Sequence, residues 1–376
     1  MRNKFILVRN LATLCIVCNV LYWILPVPPF LWRIGLVLLS IYAVVFNDQK
    51  TKVEKSIIAF AGFNLLHFII SLLWQIPSTT QIGNILNALL SFSLFVFLGK
   101  KGVMTNAYFS IIGMCLLVAF VAAYYHMQAY VIEKLMLDAD ADVTNNATSG
   151  FLFLLPMLFF IKKEWQKWLM FAICLFYLLA GAKRGNIIAA IIPTLLFVWF
   201  ELKDSKHSLL KTTLIIIAII ALGFTLYNWF TTNDFLMHRF IKAIGGDSTG
   251  RDKIYAHAWQ TWYSSDSFLN LLFGYGFDGI LHQPLMQGMH AHNDWLEILV
   301  NYGIIGILFY LVIFFNLLGQ FRSTKFSPMR MVLLSVTLIW LFKSIYSMGF
   351  TAEGLSVMMV SLGTAVGNSS CINNKI

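Results

Sequence analysis

Long apolar runs separated by short polar breaks fill this chain. Many of the runs are close to the ~20 residues that carry a helix across a ~30 Å hydrocarbon core. Runs such as 56–74, 212–230 and 295–318 hold almost no charge over a full crossing. Reading each run as a helix places spans near 5–25, 30–46, 56–74, 85–99, 103–124, 150–161, 168–182, 186–200, 212–230, 295–318, 331–345 and 350–367. The run at 150–161 is short for a crossing, which points to an earlier start or to shielding by neighbouring helices. The first run ends in Pro26-Val27-Pro28-Pro29 with no small-residue cleavage site, so it reads as a retained span and the chain as complete.

The pattern predicts an all-α polytopic membrane protein of about twelve transmembrane helices. Residues 1–230 would hold helices one to nine, and 295–376 helices ten to twelve with a cytoplasmic tail. The long polar stretch 231–294 would be one large outward loop containing short interfacial helices. A smaller outward segment, 125–149, carries Asp138, Asp140 and Asp142. Long ordered loops are usually functional. No internal repeat is visible, and with it the inverted-repeat signature of many transporters is absent.

Composition agrees: of 376 residues 59% are hydrophobic and 12% charged, about half the charged fraction of a soluble domain. A net charge of +10 would suggest nucleic acid in a soluble protein. Here basic loops on the cytoplasmic side explain it, and no nucleic-acid partner is expected. Of five cysteines, Cys15, Cys18, Cys115 and Cys174 fall in predicted spans, where Cys15-x-x-Cys18 reads as packing rather than as a disulfide or zinc pair.

With Met1-Arg2-Asn3-Lys4 inside, the breaks at 47–55, 100–102, 162–167, 201–211 and 319–330 and the C-terminal tail are cytoplasmic, short and basic. Nine of the 27 lysines and arginines then lie on the wrong side for this bias: Arg33, Lys134, Lys183, Arg184, Arg239, Lys242, Arg251, Lys253 and Lys343. Arg184 sits in Gly181-Ala182-Lys183-Arg184-Gly185-Asn186, which joins two apolar helices with almost no loop. An arginine at membrane depth costs ~2.5–3.5 kcal/mol on insertion scales, and one that persists faces a cavity or partner, or snorkels to headgroups. Arg251 precedes an amphipathic run, 253–263, that Ser248 or Thr249 can cap. Ile254, Ala258 and Trp262 share one stripe of that helix, and Tyr255, Trp259 and Tyr263 the next. A guanidinium at a helix N-terminus suits a phosphate; the alternative is a solvated surface arginine.

His290-Ala291-His292-Asn293-Asp294-Trp295-Leu296-Glu297 marks the chain's return into the membrane. Asp294 and Glu297 have capping-box spacing, which makes them helix starters by default. His292 stands just before that helix as an imidazole, a group that titrates near neutrality. No outer cysteine accompanies the His-x-His pair, so no metal is expected there. Gly303-Ile304-Ile305-Gly306 brings small residues to the surface of the following helix and permits close packing.

Taken together, Gly250-Arg251, Phe273-Gly274-Tyr275-Gly276 and His292-Asn293 followed by Gly303-x-x-Gly306 resemble the superfamily of O-antigen ligases and Wzy-type polymerases. The resemblance is specific over roughly 181–310; elsewhere it amounts to helix number and topology. It implies a histidine at position 292 that acts on the acceptor, and arginines at 184 and 251 that engage a lipid diphosphate. Where members often carry a small hydroxyl residue before the first arginine, this chain has Lys183, read as a third phosphate contact or a headgroup anchor. His290, Asn293, Tyr255 and Trp259 are then candidate acceptor or sugar contacts, although interfacial anchoring predicts the same aromatics.

The resemblance implies a bacterial inner-membrane protein, multi-pass, with its active site facing the periplasm. The expected partners are an undecaprenyl-diphosphate-linked glycan, the lipid bilayer and a chain-length regulator; no cofactor is expected. A diphosphate leaving group needs charge stabilisation rather than a proton, so one base suffices and direct displacement would invert the anomeric centre. The leading expectation is an inverting, metal-independent glycosyltransferase that polymerises lipid-linked oligosaccharide repeats. Its rivals are a ligase moving finished chains to lipid A-core and a lipid-linked sugar flippase. The flippase explains His292 poorly and should carry ionisable groups at mid-membrane on several spans.

Overall fold

The computed structural model describes residues 2–22, 24–25, 28–77, 81–137, 145–181, 183–203, 213, 228, 250–352 and 354–373, excluding the side chains of Arg2, Leu135, Arg184 and 371–373. Among these residues every regular element is helical. In chain order they are α1 (Arg2–Val20), α2 (Pro29–Phe46), α3 (Lys52–Leu73), α4 (Gln81–Lys100), α5 (Asn106–Leu137), α6 (Thr148–Leu154), α7 (Glu164–Ala180) and α8 (Arg184–Lys203). After the stretch 204–249 come α9 (Arg251–Tyr263), α10 (Phe268–Phe273), α11 (Asp294–Ser323), α12 (Pro328–Tyr346) and α13 (Leu355–Asn373).

Local chemistry sets several boundaries. Thr51 and Glu54 form a full capping box at the start of α3, with Thr51 Oγ1 accepting from the Glu54 N–H at 3.0 Å. Proline occupies the first turn of α2 and α12, where its missing N–H costs nothing.

Among the described residues eight helices, α1 to α5, α8, α11 and α12, are long and apolar enough to cross a membrane. Large apolar side chains such as Leu38, Val45, Ile111, Val118 and Phe315 stand exposed on their outer faces, as lipid contact requires. The chain is a multi-pass membrane protein. Where spans were expected at 168–182 and 350–367 the chain forms helices α7 and α13, which are not among those eight, and the ninth expected span, 212–230, lies outside the described residues.

Two expectations change. The expected short span at 150–161 is α6 continued by a 3-10 segment, Leu155–Phe160, and every residue from 150 to 161 is buried. It meets neighbouring helices rather than lipid, so its length need not match the bilayer. Helix α5 runs on to Leu137, past the expected end of that span at 124, because 125–137 holds no glycine or proline to stop it. Lipid-scale length alone had set that boundary.

The core centres on α4, which α13, α2 and α3 enclose. Close approach of α13 depends on missing side chains: a Cβ on Gly363 would lie 2.6 Å from the Phe92 carbonyl oxygen, and one on Gly367 2.3 Å from that of Val96. Such small-residue stripes let membrane helices pack backbone to backbone. Gly367→Leu is therefore expected to lower the monodisperse peak of a fluorescent fusion in detergent several-fold. Gly319→Ala, where nothing lies within 4 Å, should leave it unchanged. A wild-type peak for Gly367→Leu would contradict this packing.

Helix α11 is broken at Gly303 (φ 64°, ψ −161°). The break frees the carbonyls of Val300 and Asn301, which accept from the backbone N–H groups of Tyr275 and Gly276, both at 2.9 Å. Gly274 and Gly303 meet face to face, since a Cβ on either would fall within 2.4 Å of the other segment's backbone. The Phe273-Gly274-Tyr275-Gly276 motif and the Gly303-x-x-Gly306 motif are thus two halves of one joint. It fixes the second half of the long loop onto α11. A small apolar cluster of Ala258, Ile280, Met286, Ala291 and Val300, flanked by Ile254 and Trp262, completes that attachment.

Candidate functional site

The start of α11 carries the site's first component. Asn293 is the N-cap, accepting from the N–H groups of Trp295 and Leu296 at 2.9 and 3.1 Å. This corrects the expected capping box. Asp294 is instead fully buried, accepting from Tyr310 Oη at 2.8 Å and from the Gly349 and Phe350 N–H groups. It pins the turn after α12 to the start of α11. Glu297 reaches back to His290 Nδ1 and the Ala291 N–H, each at 2.8 Å. The carboxylates hold the loop; Asn293 caps the helix.

Those ties set the direction of the two histidines. His290 is drawn inward, with Nε2 also 2.8 Å from Gln81 Nε2. Burial alone would lower its pKa, but the hydrogen bond and charge of Glu297, helped by Asp278, outweigh it and hold the value above the usual one. The stabilisation from that pair is present at acid pH and is lost as pH rises through the raised value. His292 is held at φ 52°, a left-handed conformation that histidine tolerates better than most residues, and it lines a large cavity.

The second component is the end of α12. Its last carbonyls have no partners within the helix and carry the negative end of its dipole. Ile345 O accepts from Asn293 Nδ2 at 3.0 Å and lies 3.5 Å from Tyr255 Oη; Tyr346 O accepts from Arg251 Nη1 at 3.0 Å. Gly185 backs onto the same Tyr346 carbonyl, where an added Cβ would sit at 3.3 Å. The first residue of α9 and the first turn of α8 therefore converge on one atom. Arg184 opens α8, but its side chain, and with it the expected phosphate role, lies outside the described residues. Ser248 and Thr249 lie outside them as well, and α9 begins on Gly250 at φ 77°.

The third component is a cavity of about 820 Å³. Its polar wall includes Gln81, Asn84, Asn146, Ser149, Lys183, His292, Lys343 and Ser347, and its apolar wall Val20, Phe120, Met127, Tyr130 and Met348. These residues come from the ends of helices and breaks that the charge pattern assigned to a single face. Among the described lining residues there is no carboxylate, so their charged groups, Lys183 and Lys343, are basic. Lys183 donates to Asn146 Oδ1 at 2.7 Å, and burial, then the Arg251 charge, push its pKa down to about 8.

Of the expected contacts, Tyr255 and Asn293 join Arg251 at the end of α12. Burial raises the Tyr255 pKa. Asn293 uses both ends of its amide on protein partners. Trp259 is about half exposed and stacks on its own helix with Tyr263, away from the cavity. Sequence reasoning missed Lys343, Asn186, Ser149 and Gln81. Lys343 did stand among the wrong-side cations, but nothing in its flanking sequence joined it to the 181–186 hairpin.

Residues 169–311 match the family model described as O-antigen ligase. That segment runs from α7 across the α7–α8 turn, Arg251, the loop and His292 to the kink of α11. No curated protein is similar enough to match the chain. Over residues 169–311 the chain is thus similar to the O-antigen ligase family, consistent with the O-antigen ligase and polymerase superfamily.

Proposed function

We propose that the protein is an inverting glycosyltransferase acting on an undecaprenyl-diphosphate-linked glycan at the periplasmic face of a bacterial inner membrane. The observation that carries this reading is a cavity with two imidazoles, His126 and His292, and two ammonium groups in its wall, no carboxylate among its described lining residues, and Arg251 beside it. Acid–base glycosidase chemistry asks for two carboxylates. Departure of a diphosphate asks for cations and a single base.

In this reading an acceptor hydroxyl oxygen attacks the anomeric carbon while His292 takes its proton. The bond from that carbon to the diphosphate oxygen breaks, and the electron pair leaves with the diphosphate. Arg251, Lys183 and Arg184 stabilise the charge that develops there. The three cations supply the role a divalent ion would otherwise fill, so EDTA is expected to leave turnover unchanged. The apolar wall of the cavity suits the prenyl chain beside the diphosphate.

Within this chemistry we favour polymerisation of oligosaccharide repeats. Asp138, Asp140 and Asp142 lie in sequence between Tyr130 and Asn146, which both line the cavity. An acidic stretch of sequence at this point suits a neutral glycan acceptor better than the phosphorylated lipid A-core of a ligase. The ligase remains the second reading, since the matching family carries that description. Purified protein given only undecaprenyl-diphosphate repeat units should build a ladder of longer lipid-linked glycans. Absence of a ladder together with transfer to added lipid A-core would overturn polymerisation and establish the ligase. No glycosidic product with either acceptor, but passage of lipid-linked sugar between leaflets in vesicles, would overturn both in favour of a flippase.

A further inference from the structure

Lys343 lies one turn before the end of α12 and is 2% exposed. Its ammonium donates to Asn186 Oδ1 at 3.0 Å and reaches the hydroxyls of Ser149 and Ser347 at 3.4 and 3.5 Å. All three partners are neutral. Among the described residues no carboxylate pairs with it. The nearest acid acting on it, Asp294, already accepts from Tyr310 and from two backbone N–H groups, while Lys183 and Arg251 add charge of the same sign. A buried cation without a counter-ion is costly, and one that persists at membrane depth usually serves a ligand or an ion path.

The surroundings say which ligand. Asn186 Nδ2 also donates to Thr148 and Ser149, and Lys183 holds the adjacent Asn146. Two ammonium groups are therefore fixed in one wall by a single network from the starts of α6 and α8, and both line the large cavity. A tether between α12 and α8 needs only a neutral amide. Two like charges held side by side toward a cavity with no carboxylate among its described lining residues call for an anion between them.

We infer that Lys343 is a donor-binding residue whose ammonium, with that of Lys183, takes oxygens of the lipid diphosphate. This rests on the reading of the cavity as the lipid-diphosphate site. Arg251 is not among the residues lining the cavity, whereas both lysines are, so the two lysines hold the diphosphate from within.

The test measures binding of undecaprenyl diphosphate without glycan, and of uncharged undecaprenol, to the full chain in nanodiscs. Wild type should prefer the diphosphate by at least tenfold. Lys343→Met and Lys343→Gln should each remove most of that preference while keeping a wild-type unfolding midpoint, since each removes an uncompensated buried charge. Glutamine keeps an N–H donor without the charge, which separates tethering from charge. Lys343→Arg should recover part of the preference. Wild-type preference in a folded Lys343→Gln variant would overturn the role of Lys343 and leave the cavity reading intact. Equal binding of both lipids by wild type would overturn the cavity reading itself, and this inference with it.

Discussion

His292→Asn is expected to lower turnover by roughly 10²–10⁴-fold, the range for loss of a general base, while donor binding stays within about twofold. Asparagine is the better replacement because position 292 sits at φ 52°. Asparagine populates that left-handed region readily, whereas alanine pays roughly 1–2 kcal/mol for it. His292→Ala would therefore mix loss of the base with a shift of the loop that also carries His290 and Asn293. Bonds on either side of His292 hold its stretch of loop: Glu297 fixes His290 and Ala291, and Asn293 caps α11. Those ties persist in the asparagine variant. Single-turnover assays with saturating donor measure the chemical step, and retention of more than a tenth of wild-type rate would show that another group takes the acceptor proton.

His290→Gln separates the neighbouring histidine from this role. Its ring is engaged by Glu297 and Gln81, so its loss should loosen the loop and lower thermal stability before it affects chemistry. Similar loss of the chemical step in His290→Gln and His292→Asn, with unchanged unfolding midpoints, would mean that both rings touch the acceptor.

The helices were legible because lipid imposes a length and forbids charge, and those two constraints are visible in sequence. Even so, they misjudged the two places where lipid does not decide. Residues 150–161 are enclosed by protein and escape the length rule, and α5 continues beyond 124 where no residue stops it. The motifs around Arg251 and His292 were legible because they are local. The capping assignment failed for the same reason: spacing marked Asp294 and Glu297 as a box, but their partners, Gly349, Tyr310 and His290, lie elsewhere in the chain or before the helix. Lys343 required a contact between α12 and α8, across 157 residues of sequence, and no local pattern carries that information.

Arg251→Ala is expected to lower kcat by roughly 10²–10³-fold, the cost of removing one preorganised donor from developing charge. The electrostatics of its position are balanced. As the first residue of α9 the guanidinium meets the positive end of that helix, and at Tyr346 it meets the negative end of α12; each effect is worth about 0.3–1 kcal/mol. The bond from Nη1 to the Tyr346 carbonyl decides its place, and a guanidinium has five N–H donors, enough to keep that tether and still present a planar fork to phosphate oxygens. A lysine cannot do both with one ammonium on a flexible stem. Arg251→Lys should therefore keep the net charge and the fold yet recover less than about a tenth of the rate, judged against the charge-assisted bonds it forfeits. The structural share of the loss is small, about 1 kcal/mol for one hydrogen bond, so unfolding midpoints of both variants should stay close to wild type. Full activity in Arg251→Lys would reduce the residue to a source of positive field, and full activity in Arg251→Ala would remove it from the site.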